Sequence, residues 1–154
     1  MLTGEYSVSI DEKGRISIPS RLKTELDTQT VFITKSSDTR KCLQVLKVED
    51  FDKIAKKLSC DIYGDFSSDY KILQMRIVAP AQEMQFDKAG RIMIPQSLRT
   101  FAHIEAKSEI VVIGMVNKLE IWNKDEYEKC LADADDPEKI SKAANAILDK
   151  NREV

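Results

Sequence analysis

A chain of 154 residues with 42% hydrophobic and 32% charged side chains has the make-up of one small globular domain, or two very small ones. The longest apolar run, Ile110-Val111-Val112-Ile113, excludes a spanning helix of roughly 20 residues, and Glu5 and Asp11 stand where a secretory leader would be apolar. One histidine, His103, and three scattered cysteines, Cys42, Cys60 and Cys130, provide neither a metal site nor a disulfide framework, so no cofactor and a reducing cytoplasm are expected. The net charge of −2 argues against a nucleic-acid partner only until its placement is examined. Residues 125–154 hold nine acidic and five basic groups, whereas residues 1–124 hold 17 and 19, leaving a mildly basic body and an acidic tail.

The chain repeats itself. Asp11-Glu12-Lys13-Gly14-Arg15-Ile16-Ser17-Ile18-Pro19-Ser20-Arg21-Leu22-Lys23-Thr24 aligns with the 14 residues Asp87 to Thr100, 76 positions later, and eight are identical. Average residue frequencies would give about one match. The same offset returns where Leu43-Gln44-Val45-Leu46 meets Leu119-Glu120-Ile121-Trp122. Two copies of one unit, residues 5–50 and 81–126, are joined by a connecting segment, 51–79, and followed by a tail, 127–154.

Within the first copy, Tyr6, Val8 and Ile10 alternate with Ser7 and Ser9, the pattern of a strand with one buried face. Asp11-x-x-Gly14 then suits a tight turn, with Gly14 supplying a positive φ, and predicts a hairpin whose return strand buries Ile16 and Ile18 and turns Arg15 and Ser17 outward. Pro19 ends that strand and starts a short helix carrying Leu22 and Leu26 on one side. Val31–Lys35 and Leu43–Leu46 read as a second strand pair. In the connecting segment Phe51, Ile54 and Leu58, then Phe66, Tyr70, Leu73 and Ile77, fall at helical spacing, and Pro80 stops the second helix. The second copy repeats the pattern: Met84, Phe86, Ile92 and Ile94 inward, the Asp87-to-Gly90 turn, Arg91 and Met93 outward, a helix with Leu98, Phe101 and Ala102, and strands Ile110–Met115 and Leu119–Trp122. The tail reads as helix or frayed end.

Neither copy has enough apolar surface to fold alone, so the two are expected to pack about a pseudo-twofold axis, each pushing a cationic turn outward. Arg15 and Arg91 are then the candidate ligands for phosphate or a guanine edge, and Lys13 for a phosphate. The competing reading for each arginine is an ion pair with the aspartate of its own turn. Asp11 and Asp87, equivalent in the repeat, have the symmetry of an acid–base dyad. Glu12-Lys13 and Lys88-Ala89, however, stand where such a dyad needs small residues, and no glycine-rich phosphate loop is present, so neither an enzyme nor a small-molecule substrate is expected.

The Asp-x-x-Gly-Arg-Ile-x-Ile-Pro signature resembles the SpoVT/AbrB-like DNA-binding motif. Its tandem occurrence, with Gly4 before the first strand and Asn117-Lys118-Leu119-Glu120-Ile121-Trp122 near the end, is similar to the MraZ family over residues 1–127. The resemblance implies a mainly β fold with accessory α-helices, a pseudo-twofold double-split β-barrel of two swapped-hairpin motifs. It further implies a cytoplasmic, nucleoid-associated transcriptional regulator of the division and cell-wall cluster. Such a regulator assembles into homo-oligomeric rings and represses its own operon through repeated promoter boxes on double-stranded DNA. Lys13, Arg15, Lys88 and Arg91 inherit the DNA-contacting role; Asp11, Gly14, Asp87 and Gly90 shape the turns. The chain departs from the pattern in having only Lys71 and Arg76 as bases in the helix before Pro80. A module of the same architecture that binds a protein, of antitoxin or scaffold type, is the alternative class.

Overall fold

A computed structural model describes residues 1–59 and 68–152; Cys60, Phe66 and the tail end at Val154 lie outside the described residues. The chain divides into two units, Met1–Asn123 and Lys124–Val154. The first unit runs β1 (Glu5–Ser9), β2 (Arg15–Ser17), α1 (Ser20–Leu26), β3 (Thr30–Lys35), β4 (Leu43–Lys47), α2 (Val48–Leu58), α3 (Ser68–Leu73), a π-helical stretch (Gln74–Val78), β5 (Gln82–Gln85), β6 (Arg91–Met93), α4 (Gln96–Phe101), β7 (Glu109–Met115) and β8 (Lys118–Asn123).

The strands form one six-stranded antiparallel sheet, ordered β1-β7-β8-β4-β3-β5, and a separate two-stranded ribbon, β2-β6. The sheet's hydrogen bonding does not close: β1 and β5 are its two edges. The expected second strand pairs are present as β3–β4 and β7–β8. The expected first hairpin is corrected. Beyond the turn, β1 and β2 share one bridge, Ile10 to Ile16, and β1 pairs with β7 of the second copy. Reciprocally, β5 pairs with β3 of the first copy. Hairpins isolated from a larger sheet are marginal in water, and the exchange gives each first strand a long neighbour.

The register locates the symmetry. Ile16 lies opposite Ile92 and Gln44 opposite Glu120, each residue facing its own counterpart in the other copy. A pseudo-twofold axis passes through both points. Below the ribbon the core gathers Ile16, Ile18, Leu22, Leu26, Ile92, Ile94 and Leu98 with the inward residues of the sheet, such as Val31, Ile33, Leu43, Ile110 and Ile121. Tyr6, Val8, Met84 and Phe101 are only partly buried and pack on the rim of this core. At roughly 1.5–3 kcal/mol for each fully buried aliphatic side chain, the shared core is what holds the two copies together.

The connecting segment covers the other face of β3 and β4. Phe51 stacks on Phe32 with ring centroids 4.2 Å apart, and Leu46, Phe51 and Ile77 form a second small core. The single helix expected before Pro80 is instead α3 followed by the π-helical stretch, in which Ala79 N–H donates to Gln74 O over 2.9 Å. Thr34 Oγ1 donates to Ile77 O at 2.6 Å, so β3 takes up a carbonyl of that widened turn. Cys42 is fully buried, and burial pushes its thiol up to about 12.

The second unit is α5 (Lys124–Ala134) and α6 (Pro137–Arg152). Asp136 accepts the N–H of Glu138 at 3.0 Å, and Pro137 takes the first helical position, a strong start signal for α6. Among the described residues no helix is long and apolar enough to cross a membrane, and no group of three or more His, Cys, Asp or Glu side chains is arranged to hold a metal ion.

Candidate nucleic-acid interface

The two turns are built alike. Asp11 Oδ1 accepts the backbone N–H of Lys13 and of Arg15, both at 2.9 Å, and Asp11 Oδ2 accepts Arg15 Nε at 2.8 Å. Asp87 does the same with Ala89 and Arg91 N–H at 2.9 Å each and Arg91 Nε at 2.9 Å. Gly14 and Gly90 close the turns at φ 85° and 77°, a region that costs an L-residue energy. The backbone N–H of Arg15 is the main cause that holds the Asp11 carboxyl below the usual aspartate range, and that of Arg91 does so for Asp87. Both carboxylates are therefore ionised at neutral pH and engaged by their own turns, which is the reverse of a dyad sharing a proton.

The ion pair with the turn aspartate, weighed above as the competing reading, is thus present in both copies. It does not consume the guanidinium. Each pair uses Nε, and the Nη1 and Nη2 groups of Arg15 and Arg91 have no partner among the described residues. With side chains 28% and 38% exposed, both arginines are partly buried. The aspartate fixes the orientation of a planar donor set before any ligand arrives, which lowers the ordering cost of a bidentate contact.

Sequence reasoning expects two separate projecting turns; the structure joins their arginines on one ribbon. In β2-β6 Arg15 stands opposite Met93 and Arg91 opposite Ser17, while Ile16 and Ile92 point into the core. Arg15 and Arg91 are diagonal neighbours on the outer face, a relation that spans about 7–8 Å in an antiparallel pair. The turns lie at opposite ends: Gly14 O accepts Ile94 N–H at 2.8 Å, and Gly90 O accepts Ile18 N–H at 3.4 Å. Lys13 is exposed at one end and Lys88 at the other, so the four basic residues form one track rather than two points.

Three supporting residues escape a reading of the motif alone. Arg99 of α4 lies against the first turn, where a Cβ on Gly14 would meet its Cζ at 2.8 Å, and its Nε donates to Ile94 O at 2.9 Å. Lys23 of α1 lies against the second turn, its Cδ 3.5 Å from where a Gly90 Cβ would be. The aligned repeat holds the signal, because Lys23 and Arg99 are the same basic position in the two copies. Lys107 has no such signal; it donates its N–H to Ile10 O at 2.9 Å and pairs with Glu12 at 2.7 Å. Arg76, by contrast, is spent on structure: Nε donates to Ser36 O at 3.1 Å and Nη2 to Ser36 Oγ, Asp38 O and Arg40 O at 2.8–2.9 Å. It also lies over the Phe101 ring at 4.7 Å.

A family model described as "MraZ protein, putative antitoxin-like" matches residues 1–62 and 77–150. The chain is 36% identical over 150 residues to the transcriptional regulator MraZ of Treponema denticola, covering 95% of this chain and 96% of that protein. It is 34% identical over 132 residues to the transcriptional regulator MraZ of Cytophaga hutchinsonii, with 84% and 83% covered, and 37% identical over 131 residues to that of a Marinomonas species, with 83% of each covered. Repeat, turns and relatives agree, and the chain belongs to the MraZ family.

Proposed function

We propose that this chain is a DNA-binding transcriptional regulator that engages duplex DNA through the outer face of the β2-β6 ribbon. The observation that carries this reading is the pair of aspartate-oriented arginines, Arg15 and Arg91, set diagonally, whose Nη groups have no hydrogen-bond partner among the described residues. A two-stranded ribbon fits a major groove about 12 Å wide, and an arginine fork matches the two acceptors of a guanine edge. Ser17 and the exposed Met93 share that face, suited to a further polar contact and to a thymine methyl. Lys13 and Lys88 flank it as phosphate contacts. The regulator names of the relatives support the same assignment.

The finer reading is repression of the chain's own division and cell-wall operon through repeated promoter boxes, in the cytoplasm at the nucleoid, by a homo-oligomeric ring. The exchange of β1 and β5 between copies supports the swapped-hairpin, double-split arrangement, here with residues 5–50 and 81–126 as the two motifs. A ring presents several ribbons to adjacent boxes, so modest single-site affinity is multiplied by effective concentration. That accounts for DNA binding by a chain of net charge −2.

The test is a mobility shift with the DNA directly upstream of this gene. Arg15→Ala abolishes the shift while circular dichroism and oligomer size stay unchanged; an unaltered shift removes the site. Weakening the oligomer costs far more on multi-box DNA than on one box; equal losses remove the avidity argument. The antitoxin-like wording of the family model favours a protein-binding module as the second reading, and a chain that captures a protein partner but shifts no upstream DNA selects it.

A further inference from the structure

The pseudo-twofold axis relates two surface clefts of similar size and opposite character. One, about 480 Å³, lies between α1 and the second turn and is lined by Ser20, Lys23, Thr24, Asp27 and Lys88 among others. Its counterpart, about 530 Å³, lies between α4 and the first turn and is lined by Gln96, Arg99, Thr100, His103, Glu105 and Glu12. These sets occupy the same repeat positions, and three exchanges set their electrostatics: Lys88 stands where the other copy has Glu12, Gln29 where it has Glu105, and Asp27 where it has His103.

The first cleft therefore faces two ammonium groups against the one carboxylate of Asp27. Among the described residues neither lysine has an ion-pair partner; Lys23 Nζ lies 5.5 Å from the centre of the Phe86 ring and Lys88 is exposed. The Lys23 stem passes beside Gly90, its Cδ 3.5 Å and Cε 3.9 Å from where a Cβ there would be, which places its charge at the cleft. In the counterpart the one arginine, Arg99, donates Nε to Ile94 O, and two carboxylates, Glu12 and Glu105, share the cleft. Glu12 is further committed to Lys107 at 2.7 Å.

We propose that the cleft of Lys23 and Lys88 takes a backbone phosphate of the bound duplex, and that the cleft of Glu12 and Glu105 does not. The inference rests on the proposed DNA binding by the ribbon and adds a polarity to it. Both turns deliver an arginine and a flanking lysine, but only the second turn has a cationic cleft beside it to add a further grip on the DNA backbone. A molecule with near-twofold β structure thereby contacts the two sides of its site unequally.

The experiment measures affinity by fluorescence anisotropy for the upstream duplex and for a scrambled duplex of equal length, over a salt series. The double variant Lys23→Gln/Lys88→Gln lowers the log–log salt slope by about 0.9, the contribution of one phosphate, and weakens both duplexes alike by up to about eightfold near 0.1 M salt. Glu105→Gln, at the counterpart, leaves the slope where it was. An unchanged slope in the double variant overturns the inference, and the Lys88 phosphate contact with it, while DNA binding through the arginines of the ribbon stands. A double variant that loses discrimination between the duplexes overturns it as well, because the lysines then read bases. A wild-type chain that binds neither duplex overturns the proposed function and this inference together. Thermal unfolding of each variant confirms that both lysine changes leave the fold intact, since glutamine preserves most of each stem.

Discussion

The two turns share a motif and differ in what holds them. The first is clamped from outside its own copy: Arg99 fills the space over Gly14, Lys107 N–H bonds Ile10 O, and Lys107 Nζ pairs with Glu12. The second has Lys23 lying along it at ordinary contact distance, and Lys88 at its tip has no ion pair among the described residues. Local sequence sets the hydrogen bonding within each turn, which is the same in both; the surroundings set stiffness and charge, which are not. One arginine is thus presented from a tied loop and the other from a more open, cationic one, although the sequence writes them with the same motif.

The comparison can be broken at its shared centre or sharpened at its ends. At the centre, Ile16→Ala and Ile92→Ala remove fully buried side chains that face each other on the axis, and each costs about 2–5 kcal/mol in urea unfolding. Similar losses leave the asymmetry confined to the turns; a large inequality places it in the ribbon itself. At the ends, Gly90→Ala costs about 1–2 kcal/mol for a positive φ. Gly14→Ala costs up to about 1 kcal/mol more, because the new methyl displaces the Arg99 guanidinium from Ile94 O. Equal losses would mean that Arg99 gives way freely.

Smaller still, Lys107→Ala breaks an ion pair whose side chains are both more than 70% exposed, so global stability falls by less than about 1 kcal/mol. Amide exchange should quicken at the first turn and not at the second. The least effect is that of acid on the turns. Asp11 and Asp87 titrate below the ordinary aspartate value of 3.8, so their contribution is present above that pH and is lost as pH falls through the lowered values of the folded state. Amide resonances of Arg15 and Arg91 report that loss together, and neither moves between pH 5 and 8 on account of these carboxylates.

Much of the local chemistry is legible in the repeat. Asp11, Gly14, Asp87 and Gly90 announce turns, Pro19 and Pro95 end strands, and Ile16, Ile18, Ile92 and Ile94 mark the buried face, all of which the structure bears out. Arg15 and Arg91 are nominated by position alone, but their aspartate-fixed orientation and diagonal spacing are not, since both depend on which strands meet. The π-helical stretch is equally silent in sequence: Tyr70, Leu73 and Ile77 keep helical spacing whether the turn holds four residues or five. The same holds at the ends of the copies. α2 and α5 begin at equivalent positions, yet α2 buries Phe51 and α5 has no buried residue.

Side-chain order along the chain was enough to determine the repeat, the turn chemistry and the inward face of each strand, because these depend on neighbours within a few residues. Strand partnership was decided by tertiary structure alone. Main-chain hydrogen bonds are the same for every residue type, so alternation says which side of β1 is apolar but not that β7, rather than β2, receives its edge. That choice aligns the two arginines on one ribbon and leaves one cationic and one acidic cleft beside it.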